Sequence, residues 1–252
     1  MNVLGLIGKT LKHSWSAEIF KSKFDAAGLN YFKYALFEVQ DITDLNLLLE
    51  REPQLSGFNV TIPYKQAVIP FLDELDEQAA ALQVVNTVSI EERNGRRYLA
   101  GYNTDYQGFR NSIKPLLKFY HERALVLGDG ATAQTVSKVL RDIGLDVNQV
   151  GRKHRGNGLL HWDDINDNVI HHHLVIINTT PIGMYPDVEK YPLIPYQTIG
   201  TSHLIYDVIY NPEETAFLRK CLAQGAQVEN GLSMLQLQAE AAWQIWKSKN
   251  GW

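Results

Sequence analysis

The residues in this 252-residue chain best suited to chemistry begin with Gly128-Asp129-Gly130. They follow a compact apolar run, Ala124–Leu127. They precede Thr132–Ile143, where Val136, Val139, Leu140 and Ile143 recur at helical spacing. Strand, glycine turn and helix in that order predict a phosphate-binding turn. Gly128 permits the tight turn and Gly130 lets a pyrophosphate approach the backbone. The N–H groups opening the helix at Ala131–Ala133 would face it with the helix dipole behind them. An ordinary strand-to-helix turn has the same outline. About 20 residues further on, an unphosphorylated ribose would call for an acid; here stands Gly151-Arg152-Lys153-His154-Arg155. Three fixed cations suit a 2′-phosphate, which arginine grips through forked, charge-assisted hydrogen bonds, so NADP is expected over NAD. A solvated basic loop is the plain alternative. His171-His172-His173 has no accompanying carboxylate or cysteine at ligand spacing, and adjacent histidines on a strand point to opposite faces. No metal site is expected there, only a polar approach to the strand at Leu174. Cys221 reads as a small buried hydrophobe.

These groups need a scaffold. Strands are predicted at Val3–Ile7, Tyr34–Val39, Gly57–Val60, Ala124–Leu127, Asp146–Val150, Leu174–Asn178 and Leu204–Val208. Helices are predicted at Trp15–Ala27, Ile42–Glu50 behind an Asp41 cap, Asp73–Leu82, Tyr106–Tyr120, Thr132–Ile143 stopped by Gly144, and Met234–Trp246. Val84–Ile90 and Tyr98–Gly101 flank Asn94-Gly95, a strong hairpin signal, so the first sheet must contain an antiparallel pair. The second half alternates strand and helix in the manner of a dinucleotide-binding βαβ unit. The expected fold is α/β, with a mixed-sheet domain followed by a Rossmann-like one.

Composition narrows the classes of function. Hydrophobic residues make up 45% and charged residues 21%, as in a globular chain, and the net charge of −4 gives no electrostatic footprint for nucleic acid. One cysteine cannot form an internal disulfide. No secretory leader is apparent after Met1, and no stretch approaches the ~18 apolar residues of a membrane span. A cytoplasmic protein working on a small molecule is expected, with no membrane or nucleic-acid partner.

Further polar clusters occur in a definite order. They are His13-Ser14-Trp15-Ser16, the run GFNVTIPYK from Gly57 to Lys65, Val85-Asn86-Thr87, and GYNTDYQGF from Gly101 to Phe109. Then come Asn178-Thr179-Thr180-Pro181-Ile182-Gly183-Met184, Tyr206-Asp207-Val208-Ile209-Tyr210-Asn211-Pro212, and Gly231-Leu232-Ser233-Met234-Leu235 with Gln238 beyond. Over essentially its whole length the chain resembles the shikimate dehydrogenase family. The resemblance implies NADPH-dependent reduction of 3-dehydroshikimate to shikimate, within aromatic amino-acid biosynthesis. It implies a substrate domain of residues 1–104 plus 234–252, an NADP domain of residues 105–233, a substrate cleft between them, and a last helix returning to the first domain. Carried over by position, Lys65 and Asp105 would be the catalytic pair. Ser14 and Ser16 would hold the substrate carboxylate, with Thr61, Asn86, Tyr210 and Gln238 as further substrate contacts. Gly128, Gly130, Ala131, Arg152, Lys153, Val208 and Gly231 would face the cofactor. The oligomer would be a monomer or homodimer.

This assignment agrees with the chemistry. A small polyhydroxy acid needs short side chains that donate and accept. Hydride delivery to a ketone leaves a developing alkoxide that needs a positive donor within reach. Lys65 can supply that proton, and Asp105 can orient the lysine. Taken singly, Lys65 would read as a solvated surface lysine, Asp105 or the two serines as helix caps, and Asn86 or Asn103 as turn formers.

The chain departs from the family pattern at several points. Ala17 stands where proline is usual and Phe20 where histidine is usual. Ala131 and Thr135 alter the phosphate turn, and Gly151 replaces the asparagine before Arg152. Asp129 puts an anion near the pyrophosphate, so weaker cofactor binding is expected unless its carboxylate points to water. Two other readings remain at this level: a quinate/shikimate dehydrogenase with broader cofactor use, and a family member that binds ligand without turnover.

Overall fold

In the computed structural model, which describes residues 1–12, 14–152 and 159–252, the chain divides into two compact units. One comprises Met1–Gln107 with Gln236–Trp252, the other Gly108–Leu235.

The first unit opens with β1 (Asn2–Gly8), α1 (Ser16–Ala26), β2 (Phe32–Glu38), α2 (Leu45–Arg51) and β3 (Leu55–Val60). There follow β4 (Glu74–Leu75), α3 (Glu77–Leu82), β5 (Thr87–Arg93) and β6 (Arg96–Tyr102). The sheet runs β2-β1-β3-β5-β6-β4, with β1 parallel to β2 and β3, and β5 antiparallel to β3 and β6. The expected hairpin turns at Asn94-Gly95, both with positive φ. Alternation along β1 sends Val3 and Ile7 into one core, with Leu45, Phe58, Val68 and Val88, and sends Leu4 into another with Phe20, Phe24 and Phe32.

Three predicted helices are corrected. Residues 73–82 are not one helix: the Asp73 carboxylate accepts the Leu99 N–H and pairs with Arg96, which lays Glu74–Leu75 alongside β6. The helix starts only after Asp76, whose side chain caps Ala79 N–H at 2.8 Å. The helix predicted over 106–120 is α4, Thr104–Ile113, and stops because Pro115 in the following 3-10 turn lacks an N–H and crowds the preceding turn. Ile42–Glu50 likewise resolves into a 3-10 turn, Ile42–Asp44, capped by Asp41 as expected, and then α2.

The second unit carries β7 (Arg123–Leu127), α5 (Ala131–Ile143), β8 (Asp146–Gly151), β9 (Leu159–His161), α6 (Asp167–His172) and β10 (Val175–Asn178). It continues through β11 (Leu204–Asp207), α7 (Ala216–Leu222) and β12 (Gln227–Glu229). All its strands are parallel, in the order β12-β11-β10-β7-β8-β9. Counted from β7, that is the 3-2-1-4-5-6 order of a Rossmann fold, whose switch point lies between β7 and β10. The short β9, α6 and β12 are not foreseen in the sequence, whereas α7 is the helical stretch expected around Cys221 before Gly225. The histidine run ends α6, a helix capped by Asn166, and leads as expected into the following strand, β10. His173 hydrogen-bonds Val169 O and Asn148 Oδ1, and Cys221 is buried in α7.

The last element, α8 (Leu232–Asn250), supplies Ala239, Ala242, Trp243 and Trp246 to the Leu4–Phe20 core of the first unit. Full burial of a large apolar side chain such as Trp246 contributes about 1.5–3 kcal/mol. Among the described residues no helix is long and apolar enough to cross a membrane.

Candidate active site

The loop after β3 and the start of α4 bring Lys65 and Asp105 together across 40 residues of sequence, with Nζ donating to Oδ2 at 2.6 Å. Their side chains are only 12% and 9% exposed, so Lys65 is not a solvated surface lysine. Nor is Asp105 spent on capping its own helix. Asn103 does that, its Oδ1 accepting the Tyr106 N–H while its amide donates to Val84 O. The second Asp105 oxygen accepts Asn86 Nδ2–H at 2.9 Å.

Behind this pair lies a buried polar cluster. Asn86 Oδ1 accepts the Thr104 backbone N–H at 2.7 Å and the Thr104 hydroxyl at 3.1 Å. The Thr104 hydroxyl also meets Thr87 Oγ1 at 2.9 Å and lies 3.5 Å from Gln238 Oε1 of α8. Asn59 on β3 donates to Thr87 Oγ1 and to Asn86 O, and accepts the Tyr34 hydroxyl at 2.8 Å. Burial pushes the Tyr34 phenol well up, opposed by a hydrogen bond from Ser16. The Phe20 ring lies parallel to that of Tyr34, with centroids 4.3 Å apart. Ser16, the first residue of α1, is linked to Ser14 through hydroxyls 3.2 Å apart, and Ser16 N–H donates to Ser14 Oγ. Thr61 follows β3, its N–H bonded to Ile7 O. The first unit thus gathers Ser16, Asn86, Gln238, Lys65 and Asp105 around one network. Sequence reasoning missed Tyr34, Asn59, Thr87 and Thr104 as parts of it. The available signal was an asparagine inside the apolar strand Phe58–Val60, since a buried amide must find partners.

The other predicted residues lie on the second unit. Gly128 has φ +125°, and a side chain there would strike Thr179 Oγ1. Gly130 precedes α5, which has no side-chain cap, and a Cβ at Gly130 would meet nothing within 4 Å. An uncapped N-terminus beside open space fits a diphosphate, with Ala131 in the first turn. The Asp129 carboxylate does not simply point to water: Oδ2 accepts Arg152 N–H at 3.3 Å and lies against Gly151. The Arg152 side chain is exposed; Lys153, His154 and Arg155 lie outside the described residues, as does His13. Val208 and Tyr210 follow β11 and are half-buried. Gly231 has its own structural reason, because a Cβ there would stand 2.0 Å from Val208 O. Beneath this loop the Asp207 carboxylate accepts Asn178 Nδ2–H, Ile209 N–H and the Thr215 hydroxyl at 3.0, 3.1 and 2.7 Å. Burial raises it to about 7 despite those three donors. Among the described residues no group of three or more His, Cys, Asp or Glu side chains is placed to hold a metal ion.

Comparisons with known proteins bear on this arrangement. A family model described as the shikimate dehydrogenase substrate binding domain matches residues 6–88. The shikimate dehydrogenase (NADP(+)) of Methanococcus maripaludis is 33% identical over 263 residues, spanning 98% of this chain and 92% of the relative. Shikimate 5-dehydrogenase from Thermus thermophilus, solved with NADP(H) and shikimate, superposes with a TM-score of 0.85 at 27% identity, covering 98% of this chain and 94% of that one. Quinate dehydrogenase from Corynebacterium glutamicum, solved with NAD, gives a TM-score of 0.85 at 26% identity with the same coverage. With a relative above 30% identity along nearly its whole length, this chain belongs to the shikimate dehydrogenase family.

Proposed function

We propose that this chain catalyses the reversible NADP-dependent reduction of 3-dehydroshikimate to shikimate, as a cytoplasmic monomer or homodimer in aromatic amino-acid biosynthesis. The observation that carries the reading is the sequestered Lys65–Asp105 pair, 2.6 Å apart and backed by Asn86. The first unit is the substrate domain and the second the NADP domain.

The nicotinamide supplies the hydride when bound. What the chain supplies is position and a proton. Ser14 and Ser16 hold the substrate carboxylate. Thr61, Asn86 and Gln238, with Tyr210 of the second unit, serve its hydroxyls. As the ketone carbon accepts hydride, its oxygen gains negative charge, and Lys65 Nζ–H donates to that oxygen and transfers the proton. Asp105 holds the lysine in place through Oδ2. In the reverse direction the same amine takes the hydroxyl proton. Gly128, Gly130 and Ala131 cradle the diphosphate, Arg152 and Lys153 grip the 2′-phosphate, and Val208 and Gly231 line the cofactor site.

One observation favours a second reading with broader cofactor use: the Asp129 carboxylate sits on the Arg152 N–H, close to where a 2′-phosphate would be held. The test is absorbance of reduced nicotinamide with shikimate and quinate each crossed against NADP and NAD. Turnover confined to shikimate with NADP is expected. Comparable turnover with quinate or NAD would move the chain to the broader branch. Ligand binding without turnover in all four mixtures would make it a binding protein.

A further inference from the structure

The hydrogen bonds behind the catalytic pair have a direction, and two backbone groups determine it. Asn59 faces the carbonyl of Asn86, which only accepts, so that end of its amide is NH2 and its oxygen accepts the Tyr34 hydroxyl. Asn86 faces the backbone N–H of Thr104, which only donates, so its oxygen lies there and its NH2 donates to Asp105. Between them Thr87 Oγ1 accepts the Asn59 amide, leaving its own proton for Thr104 Oγ1 at 2.9 Å or Asn86 Oδ1 at 3.3 Å. The Thr104 proton in turn reaches Asn86 Oδ1 at 3.1 Å. From the Tyr34 hydroxyl through Asn59, Thr87 and Thr104 to Asn86, the side-chain donors of this line run toward the Asp105 carboxylate. Such aligned chains polarise one another and gain strength cooperatively. Ser16, Asn59, Asn86, Thr87, Thr104 and Asp105 are all buried, so water does not readily substitute for a lost member.

We propose that Tyr34, Asn59, Thr87 and Thr104 are positioning residues that hold Asn86, and through it the Asp105 carboxylate, in the orientation the Lys65–Asp105 pair needs. The proposal rests on the catalytic role given above. None of the four residues needs to touch the reacting atoms.

Thr87→Val removes the hydroxyl at nearly constant shape, whereas Thr87→Ser keeps it, and Tyr34→Phe breaks the line at an independent point. We measure kcat and KM for shikimate against pH for these three variants and the wild type, with Lys65→Met in parallel. The expected result is a kcat lower by about tenfold in Thr87→Val and Tyr34→Phe, with KM changed less and the pH limbs of kcat displaced. Thr87→Ser should recover most of the rate. Equal loss in the valine and serine variants would mark a packing effect and overturn the proposal. So would wild-type kcat and pH limbs in both Thr87→Val and Tyr34→Phe while Lys65→Met is inactive. Wild-type turnover in Lys65→Met would instead remove the catalytic reading, and this proposal with it.

Discussion

In the first unit the functional polar groups are side chains that satisfy one another: Lys65, Asp105, Asn86, Thr104, Thr87 and Asn59 form one connected set in a buried setting. In the second unit the corresponding features belong to the backbone, namely the turn at Gly128, the uncapped start of α5 and the close approach of Gly231 to Val208. A proton donor must be aimed by specific partners, so its neighbours matter as chemistry. A cradle for phosphate needs bare N–H groups and room, so what matters there is the absence of atoms. The first unit should therefore be damaged by removing functional groups, and the second by adding a methyl or a charge.

The largest effect should come from Lys65→Met. The reduction rate of 3-dehydroshikimate should fall by about 10²- to 10⁴-fold with little change in melting temperature, and a full rate would break the contrast at its strongest point. Next is a pH effect in the second unit. Burial raises Asp207 from the usual 3.8 to about 7, so between those values the folded form keeps a proton that the unfolded form has shed. Its contribution to stability is complete below about pH 4 and is lost as pH rises through about 7, by at most about 1.4 kcal/mol per pH unit. Urea titrations from pH 4 to 8 should show this decline, and it should flatten in Asp207→Asn. An unchanged slope in that variant would assign the decline to other groups. Gly231→Ala comes third. A Cβ 2.0 Å from Val208 O must displace the loop, at a cost of about 1–3 kcal/mol visible as a lower unfolding midpoint. The smallest is Asp129→Asn, which should tighten NADP binding by about two- to fivefold in a direct titration. Tighter binding by the wild type would show that the carboxylate's bond to Arg152 N–H assists the cofactor.

The same contrast explains what was legible in the sequence. Local signals served well where the chain decides alone. Asn94-Gly95 makes the hairpin turn, Asp41 caps the turn after β2, and Gly128-Asp129-Gly130 sits between β7 and α5. They misled where a distant partner intervenes: Asp73 reads as a helix start, yet its carboxylate belongs to Leu99 and Arg96 on β6. The motif residues Lys65 and Asp105 were visible as types in order. The threonines and the tyrosine behind them were not, because Tyr34, Asn59, Thr87 and Thr104 lie on four separate stretches of chain and only folding makes them neighbours. The reach of Asp129 to the end of β8 was hidden for the same reason.

The indole of Trp246 lies over Gly57, fully buried, and its N–H donates to Val88 O at 2.9 Å. With Ala239, Ala242, Trp243 and Trp252 it closes a core that otherwise comes from the first 34 residues. On the ribosome, however, residues 236–252 follow the whole of the second unit. A nascent chain that has emerged as far as Leu235 can complete its Rossmann sheet while Leu4, Phe20, Phe24 and Phe32 still lack their cover. Order of synthesis and order of completion are thus reversed, with the unit begun first being finished last. Chains stalled before Gln236 should accordingly yield a protease-resistant fragment from the second unit and none from the first.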